Sequence, residues 1–314
     1  MKLFVTGGLG FIGSNFIFHR SAEHGDSIIN YDIETYAADH KNMAGIPSVC
    51  KDYRWIKGDI RNYDDVYKAM SGCDVVIHFA AESHVDNSIN DSSLFVDTNV
   101  LGTQVLLEAA KKRNIKRFVH ISTDEVYGDI KEGESKETDI TLPNNPYSAS
   151  KLGAEALVRA YHKTHGLKTI ITRCTNNYGP RQHQEKFLPM IITNALQNKT
   201  IPIYGTGTQE REWIYVSDHC KGISLALQYA LPGTVWNFGS KVRLTNIDIC
   251  LKVLRALGKP ASLIRHVEDR IGHDLRYALD SYSARRELGF NNSVDFDEGL
   301  KLTIDWYKSK GEKK

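Results

Sequence analysis

Short runs of β-branched and aliphatic residues alternate with segments of helical periodicity through the first half of the chain. Leu3-Phe-Val-Thr6, Ile28-Ile-Asn-Tyr31, Trp55-Ile-Lys57, Val75-Val-Ile77, Phe118-Val-His-Ile121 and Thr169-Ile-Ile-Thr172 read as six strands. Between them, Gly13 to about His24 carries apolar residues at helical spacing and stops at Gly25, a good residue just past a helix end; 93 to 113 offers a longer helix. Strands alternating with helices build βαβ units, so the pattern predicts an α/β fold, a doubly wound parallel sheet covered on both faces.

After about Arg173 the rhythm changes. Asn, Gly and Pro are frequent between 176 and 208, and the apolar segments are too irregular for further βαβ repeats. Helices are predicted at 186 to 198, 218 to 230 and 245 to 257, with short strands at Ile201-Pro-Ile-Tyr204 and Val235-Trp-Asn-Phe238. We expect two parts, a dinucleotide-binding domain over 1–175 and a smaller α+β substrate-binding lobe mainly over 176–314, with some chain crossing back. The tail Lys308-Ser-Lys-Gly-Glu-Lys-Lys314 reads as a solvated, frayed end.

Composition narrows the partners. The chain has 314 residues, 41% hydrophobic and 25% charged, which excludes disordered and collagen-like classes and suits one large domain or two smaller ones. Forty basic residues against 38 acidic ones leave +2, with no basic block, hence no electrostatic footprint for nucleic acid or membrane. No apolar run approaches the roughly 20 residues that span a bilayer, and no signal-peptide pattern opens the chain. The five cysteines are scattered and never CxxC, which signals neither a disulfide framework nor a zinc site and suits a reducing cytoplasm. His78 and His84, flanked by Glu82 and Asp86, read as packing and hydrogen bonding, so no metal is expected. The expected partner is a small molecule.

Thr6-Gly-Gly-Leu-Gly-Phe-Ile-Gly13 follows the first strand and opens a helix. Gly7 permits a tight turn, Gly10 lets backbone approach a pyrophosphate, and Gly13 allows close packing of helix on strand; Phe11 and Ile12 lie in the first helical turn, whose amides face the phosphates. Asp32, 19 positions beyond Gly13 at the end of the second strand, can bond ribose hydroxyls and repel a 2′-phosphate, which favours NAD over NADP. Asp59 and Ile60 after the third strand, and Phe79, Ala80 and Ala81 after the fourth, sit where an adenine would lie; ordinary loop and core packing explains them equally well.

Tyr147 and Lys151 stand four apart at the start of a helical segment reaching about His165, so they share a helix face. An ammonium beside a phenol favours phenolate, suited to taking a proton from a sugar or alcohol hydroxyl. Alone, the pair is more simply a surface pair; behind a dinucleotide turn it reads as catalytic. Ile121-Ser-Thr-Asp-Glu-Val-Tyr-Gly128 then places two adjacent carboxylates, Asp124 and Glu125, at the end of the fifth strand. A simple alcohol dehydrogenase needs neither. Elimination of water needs both: one group removes a carbon-bound proton while another protonates the departing hydroxyl. Cys174 nearby is better explained as a small buried hydrophobe than as a nucleophile.

With TGxxGxxG near its start and YxxxK in its middle, the chain resembles the extended short-chain dehydrogenase/reductase family, in which Ser122-Thr123 would supply the third catalytic member. Ser122-Thr-Asp-Glu-Val-Tyr-Gly128 is similar to the hallmark of dTDP-glucose 4,6-dehydratases and close relatives. His78-Phe-Ala-Ala-Glu-Ser-His-Val-Asp86, Asn99-Val-Leu-Gly-Thr103, Thr172-Arg-Cys-Thr-Asn-Asn-Tyr-Gly-Pro180, Glu185-Lys-Phe-Leu-Pro189, Arg211-Glu-Trp213 and Asp269-Arg-Ile-Gly-His-Asp-Leu-Arg-Tyr277 extend the resemblance over nearly the whole chain. The resemblance implies a nucleotide-sugar 4,6-dehydratase using NAD and acting on a nucleoside-diphosphate sugar. Tyr147 would be the base at the sugar 4-hydroxyl, Lys151 would hold the nicotinamide ribose, Thr123 would bond the 4-oxygen, Glu125 would take the C5 proton and Asp124 would protonate the C6 hydroxyl. It further implies Asn99 among the cofactor contacts and Ser83, Asn176, Lys186, Phe187, Leu188, Arg211, Asn246 and Arg276 around the substrate, the two arginines as a diphosphate clamp. A homodimer formed through the helices at about 93 to 113 and 147 to 165 is also implied.

Four departures from the family pattern bear on specificity. Glu212 stands where Asp is expected, Arg243 where Glu is, Ile271 where Pro is, and Glu34 where an apolar residue is. UDP-glucose and UDP-N-acetylglucosamine therefore stay open beside dTDP-glucose as substrates. A 4-epimerase, which shuttles hydride only at C4, a UDP-glucuronate decarboxylase and a noncatalytic NAD sensor are the other readings.

Overall fold

The structure, a computed structural model, describes residues 1–50, 52–269 and 273–311. Six strands arise in the first half: β1 (Lys2–Thr6), β2 (Ser27–Asp32), β3 (Tyr53–Lys57), β4 (Val75–His78), β5 (Arg117–Ile121) and β6 (Thr169–Cys174). Six more follow: β7 (Asn176–Tyr178), β8 (Ile201–Tyr204), β9 (Glu210–Tyr215), β10 (Val235–Phe238), β11 (Arg243–Thr245) and β12 (Ile264–Val267).

The large sheet is parallel and runs β3-β2-β1-β4-β5-β6-β10. Because side chains alternate across a strand, Leu3 and Val5 of β1 enter one buried cluster while Phe4 enters the cluster on the opposite face, and both faces are covered. Chain order reverses between β1 and β4, the switch point at which ligands bind beyond the carboxyl ends of such strands. This is the doubly wound fold expected from the alternation. The expected six strands become seven, because Val235–Phe238 pairs with β6 instead of staying in the second lobe. Its alternating Trp236 and Phe238 complete the cluster under the sheet edge, together with the helices Val216–Tyr229 and Tyr282–Leu288.

The second lobe is built on a three-stranded sheet, β11-β9-β7, and a parallel pair, β12-β8, packed against the helices Phe187–Leu196, Asn246–Leu257 and Phe296–Gly311. β7, β9, β11 and β12 are not apparent in the hydrophobic pattern. Strands of three or four residues have too few positions to set a period, and β9 is buried along nearly its whole length rather than alternating. The tail differs from expectation too. It is helical through Gly311, with Lys310 lying over the Trp306 ring at 4.1 Å; residues 312–314 are outside the described residues. Within the expected helix at 93 to 113, Val96–Leu101 forms a π-helical segment ahead of the α-helix Gly102–Lys112.

Candidate active site

The turn after β1 is shaped by steric necessity. Gly7 has φ +72°, and a Cβ there would lie 2.6 Å from the Ala80 nitrogen. At Gly13 a Cβ would lie 2.4 Å from the Gly7 carbonyl oxygen, so the helix Phe11–His24 starts against the turn only because position 13 is bare. Gly10 is its N-cap and supplies no side-chain acceptor, which leaves the first-turn amides open to a ligand's acceptors. Asp32 closes the same turn: Oδ2 accepts from the Leu9 amide at 3.0 Å and Oδ1 from the Glu34 amide at 2.8 Å.

Gly7, Gly10, Phe11, Ile12, Gly13, Asp32, Asp59, Ile60, Phe79, Ala80 and Ala81 all border one cleft of about 390 Å³, and Thr123, Asp124, Glu125, Tyr147 and Lys151 border its other end. A bare-backbone turn, an uncapped helix start and an acidic residue at the end of β2 suit a dinucleotide pyrophosphate and ribose. Asp59 departs from a simple adenine contact, because its carboxylate is engaged by the Arg61 guanidinium at 2.6 to 3.0 Å. Asn99 is buried, its amide bonded to both backbone groups of Glu82 and to Ser150 Oγ.

At the catalytic end, β5 runs into a tight 3₁₀ turn, Asp124–Tyr127, capped by Thr123 Oγ1, which accepts from the Glu125 amide at 3.3 Å. Tyr127 fixes that turn: its hydroxyl donates to Asn237 Oδ1 of β10 at 3.0 Å, and its ring lies 4.6 Å under the Arg173 guanidinium. Arg173 in turn forms a fully buried, two-pronged ion pair with Glu155 of the helix Pro146–His165, which carries Tyr147 and Lys151. Asn145 caps that helix, accepting from the Ser148 amide at 2.9 Å, and donates to Glu125 Oε2 at 3.3 Å. None of Tyr127, Arg173, Glu155, Asn145 and Asn237 was singled out from the sequence; they are distant in the chain and share no spacing.

The two carboxylates have different surroundings. Asp124 is 3% exposed, and its Oδ2 lacks a hydrogen-bond partner. Burial, then the charges of Glu125 and Glu212, push its pKa well above the usual carboxylate range. Glu125 is less enclosed and bonded to Asn145. Adjacent acids with divergent environments make an acid and a base. Lys151 donates to the Ile121 carbonyl at 2.6 Å, and burial lowers it to about 8. The expected lowering of the phenol by this ammonium is not what the structure shows: burial, then the charge of Glu125, hold Tyr147 well above its ordinary value, with Thr123 opposing them. Cys174 borders the cleft as a buried thiol pushed up by burial.

Of the residues expected around the substrate, Ser83, Asn176 and Lys186 border the cleft, and Lys186 Nζ reaches the Ser83 carbonyl at 2.8 Å. Phe187 and Leu188 do not; they pack into the second lobe's core. Arg211 is spent on the carbonyls of Glu210, Asp274 and Leu275 and on the Tyr277 ring. Arg276 bonds Glu210 and the Gly133 carbonyl, and Asn246 opens a helix beside Gln209. None of the three borders the cleft; Arg211 and Arg276 tie the segment 274–277 to β9. Ile271 lies outside the described residues.

The fold and this cleft define a protein of the extended short-chain dehydrogenase/reductase class. A family model described as GDP-mannose 4,6 dehydratase matches residues 4–303, and the chain belongs to that family. The dTDP-glucose 4,6-dehydratase of Streptomyces niveus is 45% identical over 98% of this chain and 93% of its own length. The low-salt glycan biosynthesis protein Agl12 of Haloferax volcanii is 47% identical over 98% of each. Among solved structures, DesIV, a dTDP-glucose 4,6-dehydratase from Streptomyces venezuelae with NAD and TYD bound, matches with TM-score 0.97 at 44% identity, covering 99% of this chain and 98% of that one. UDP-glucuronic acid 4-epimerase from Bacillus cereus, in complex with UDP-glucuronic acid and NAD, matches with TM-score 0.93 at 31% identity over 99% and 100%.

Proposed function

We propose that this protein is an NAD-dependent nucleotide-sugar 4,6-dehydratase, a hydro-lyase that converts dTDP-glucose to dTDP-4-keto-6-deoxyglucose. The observation that carries the reading is the acid–base pair beside Tyr147: a buried Asp124 disposed to keep its proton, next to a Glu125 held by Asn145. An epimerase acting only at C4 has no use for that pair.

NAD⁺, which Gly7, Gly10, Gly13 and Asp32 would hold in the glycine-turn cleft, would supply a reversible hydride acceptor for the sugar. Tyr147, held as a phenol by burial and Glu125 in the protein alone, would be drawn toward phenolate by the cationic nicotinamide and the Lys151 ammonium. It would then take the proton of the 4-hydroxyl as C4 is oxidised, with the Thr123 hydroxyl orienting the 4-oxygen. The C5 proton, now next to a carbonyl, goes to Glu125. Asp124 gives its proton to the C6 hydroxyl, which leaves as water. Glu125 would return its proton to C5 once the water has left. Ser83, Asn176 and Lys186 are the proposed substrate contacts. We further read the chain as a 1–175 cofactor domain and a 176–314 lobe that lends β10 back to the first, as a cytoplasmic enzyme, and as a homodimer through the helices near 93–113 and 147–165. Among the described residues, no helix is long and apolar enough to cross a membrane.

The test is incubation with dTDP-glucose, UDP-glucose and UDP-N-acetylglucosamine without added NAD, followed by mass spectrometry. Loss of one water from the dTDP sugar is the expected result; an isomeric product would replace this reading with an epimerase, and dehydration of only a UDP sugar would change the substrate.

A further inference from the structure

His78 ends β4 directly under the cleft and is 1% exposed. Its Nδ1 lies 2.8 Å from Thr6 Oγ1 and its Nε2 lies 2.9 Å from Thr103 Oγ1. The surrounding bonds determine where its proton sits. Thr103 donates its only hydroxyl hydrogen to the Asn99 carbonyl at 2.6 Å, so toward His78 it can only accept, and Nε2 carries the hydrogen. In a neutral ring Nδ1 then accepts from the Thr6 hydroxyl, while Thr6 Oγ1 accepts from the Ala80 amide at 3.3 Å. Burial, which drives the imidazole down to about 3, agrees with the neutral form.

The series continues. The Asn99 side-chain amide donates to Ser150 Oγ at 2.8 Å, and Ser150 donates to the Tyr147 carbonyl at 2.7 Å. Every donor points the same way, from Ala80 in the cleft wall through Thr6, His78, Thr103, Asn99 and Ser150 to the backbone of Tyr147. Thr6, Thr103, Asn99 and Ser150 are all buried. The π-helical segment Val96–Leu101 contributes Asn99, whose carbonyl receives Thr103 while its amide reaches the catalytic helix. Hydrogen bonds aligned in a low-dielectric interior polarise and strengthen one another, so such a chain acts as a unit.

We propose that His78, held as the Nε2–H tautomer, is a positioning residue that couples the glycine turn and the Ala80 wall to the helix start bearing Tyr147, so that ordering of the cofactor wall and of the catalytic tyrosine is one event. The proposal rests on the cleft being an NAD site. Three measurements separate it from a passive packing role. In protein labelled with ¹⁵N-histidine, the His78 resonances at pH 7 are expected to show a protonated Nε2 and a bare Nδ1; the opposite tautomer or an imidazolium would overturn it, and this arm needs no variant. Exchange of bound NAD for isotopically labelled NAD, followed by mass spectrometry, is expected to be about 5- to 10-fold faster in Thr103→Val and in Ser150→Ala, neither of which borders the cleft. The double variant should be no more than about 10-fold faster, and Thr103→Ser should exchange like the unaltered protein. Singles that multiply in the double variant, or that change nothing, would show that no coupled chain exists. A wild-type protein that holds no NAD would instead refute the cofactor reading while leaving the tautomer result standing.

Discussion

Arg243 Nε donates to Glu212 Oε2 at 3.4 Å, so two of the three positions at which the second lobe departs from its family's expected residues form one ion pair. Glu212 is fully buried, accepts from the Lys241 and Leu279 amides, and fills the space that bare Gly239 leaves. Arg243 also pairs with Glu134. A buried carboxylate stripped of its cation keeps its desolvation cost, so Arg243→Met should destabilise by about 1 to 3 kcal/mol. Measured by urea unfolding, the same change in a Glu212→Gln background should cost less by about 1 kcal/mol or more; additive losses would show that the two residues act separately.

Glu125→Gln and Asp124→Asn should each retain the first half of the reaction and lose the second. With dTDP-glucose, both are expected to reduce bound NAD, visible as nicotinamide absorbance, while formation of dehydrated product falls by about 10² to 10⁴, the usual contribution of general acid–base catalysis. Near-normal product from either variant would remove that residue from the elimination.

The Asp124 carboxyl is raised in the folded state, and the sign of its effect on stability follows. Below about pH 4 folded and unfolded chains both carry its proton. Above that the unfolded chain releases it while the native one keeps it, so this group's contribution falls as pH rises toward its native pKa. Thermal melts should therefore show Asp124→Asn gaining on the unaltered protein as pH rises above about 4. A constant difference across that range would contradict a raised Asp124.

Lys151 behaves in the opposite sense. Held near 8 instead of 10.5, it costs the fold about 3 kcal/mol wherever both states are protonated, below pH 8. Between 8 and 10.5 the native lysine has lost its proton first, and the cost fades. Lys151→Met should abolish NAD reduction yet raise stability at pH 7 by about 1 to 3 kcal/mol, with the gain gone by pH 10.5 in paired urea titrations.

Two glycines separate steric need from local strain. Gly13→Ala drives a Cβ to 2.4 Å from the Gly7 carbonyl and should abolish retention of NAD through purification. Gly25, the left-handed residue ending the same helix at φ +60°, has open space around it; Gly25→Ala should cost about 1 kcal/mol in unfolding experiments and leave NAD in place.

Much of the site was legible because its residues are local in sequence. Gly7 to Gly13 belong to one turn, Thr123 to Glu125 to one strand end, and Tyr147 and Lys151 to one helix face, so spacing alone brought each group together. Asp32 was legible from its distance to Gly13. What supports them was not. Asn145, Arg173, Glu155 and Asn237 act on the site from a helix cap, β6, a helix interior and β10, and no periodicity relates them. Arg211, Arg276 and Asn246 show the converse: their motifs are intact, yet their partners in the folded chain, the carbonyls of 274–275, Glu210 and Gln209, could not be read from those motifs.

The sequence by itself determined the doubly wound sheet, the dinucleotide turn, the pairing of Asp124 with Glu125 at one strand end and that of Tyr147 with Lys151 on one helix face, because periodicity and short-range spacing are properties of the chain alone. The tertiary structure decided the seventh strand, the fates of Arg211 and Asn99, the union of Glu212 with Arg243, and which carboxylate keeps its proton. Those depend on burial and on partners distant in sequence, and burial exists only once the chain has packed.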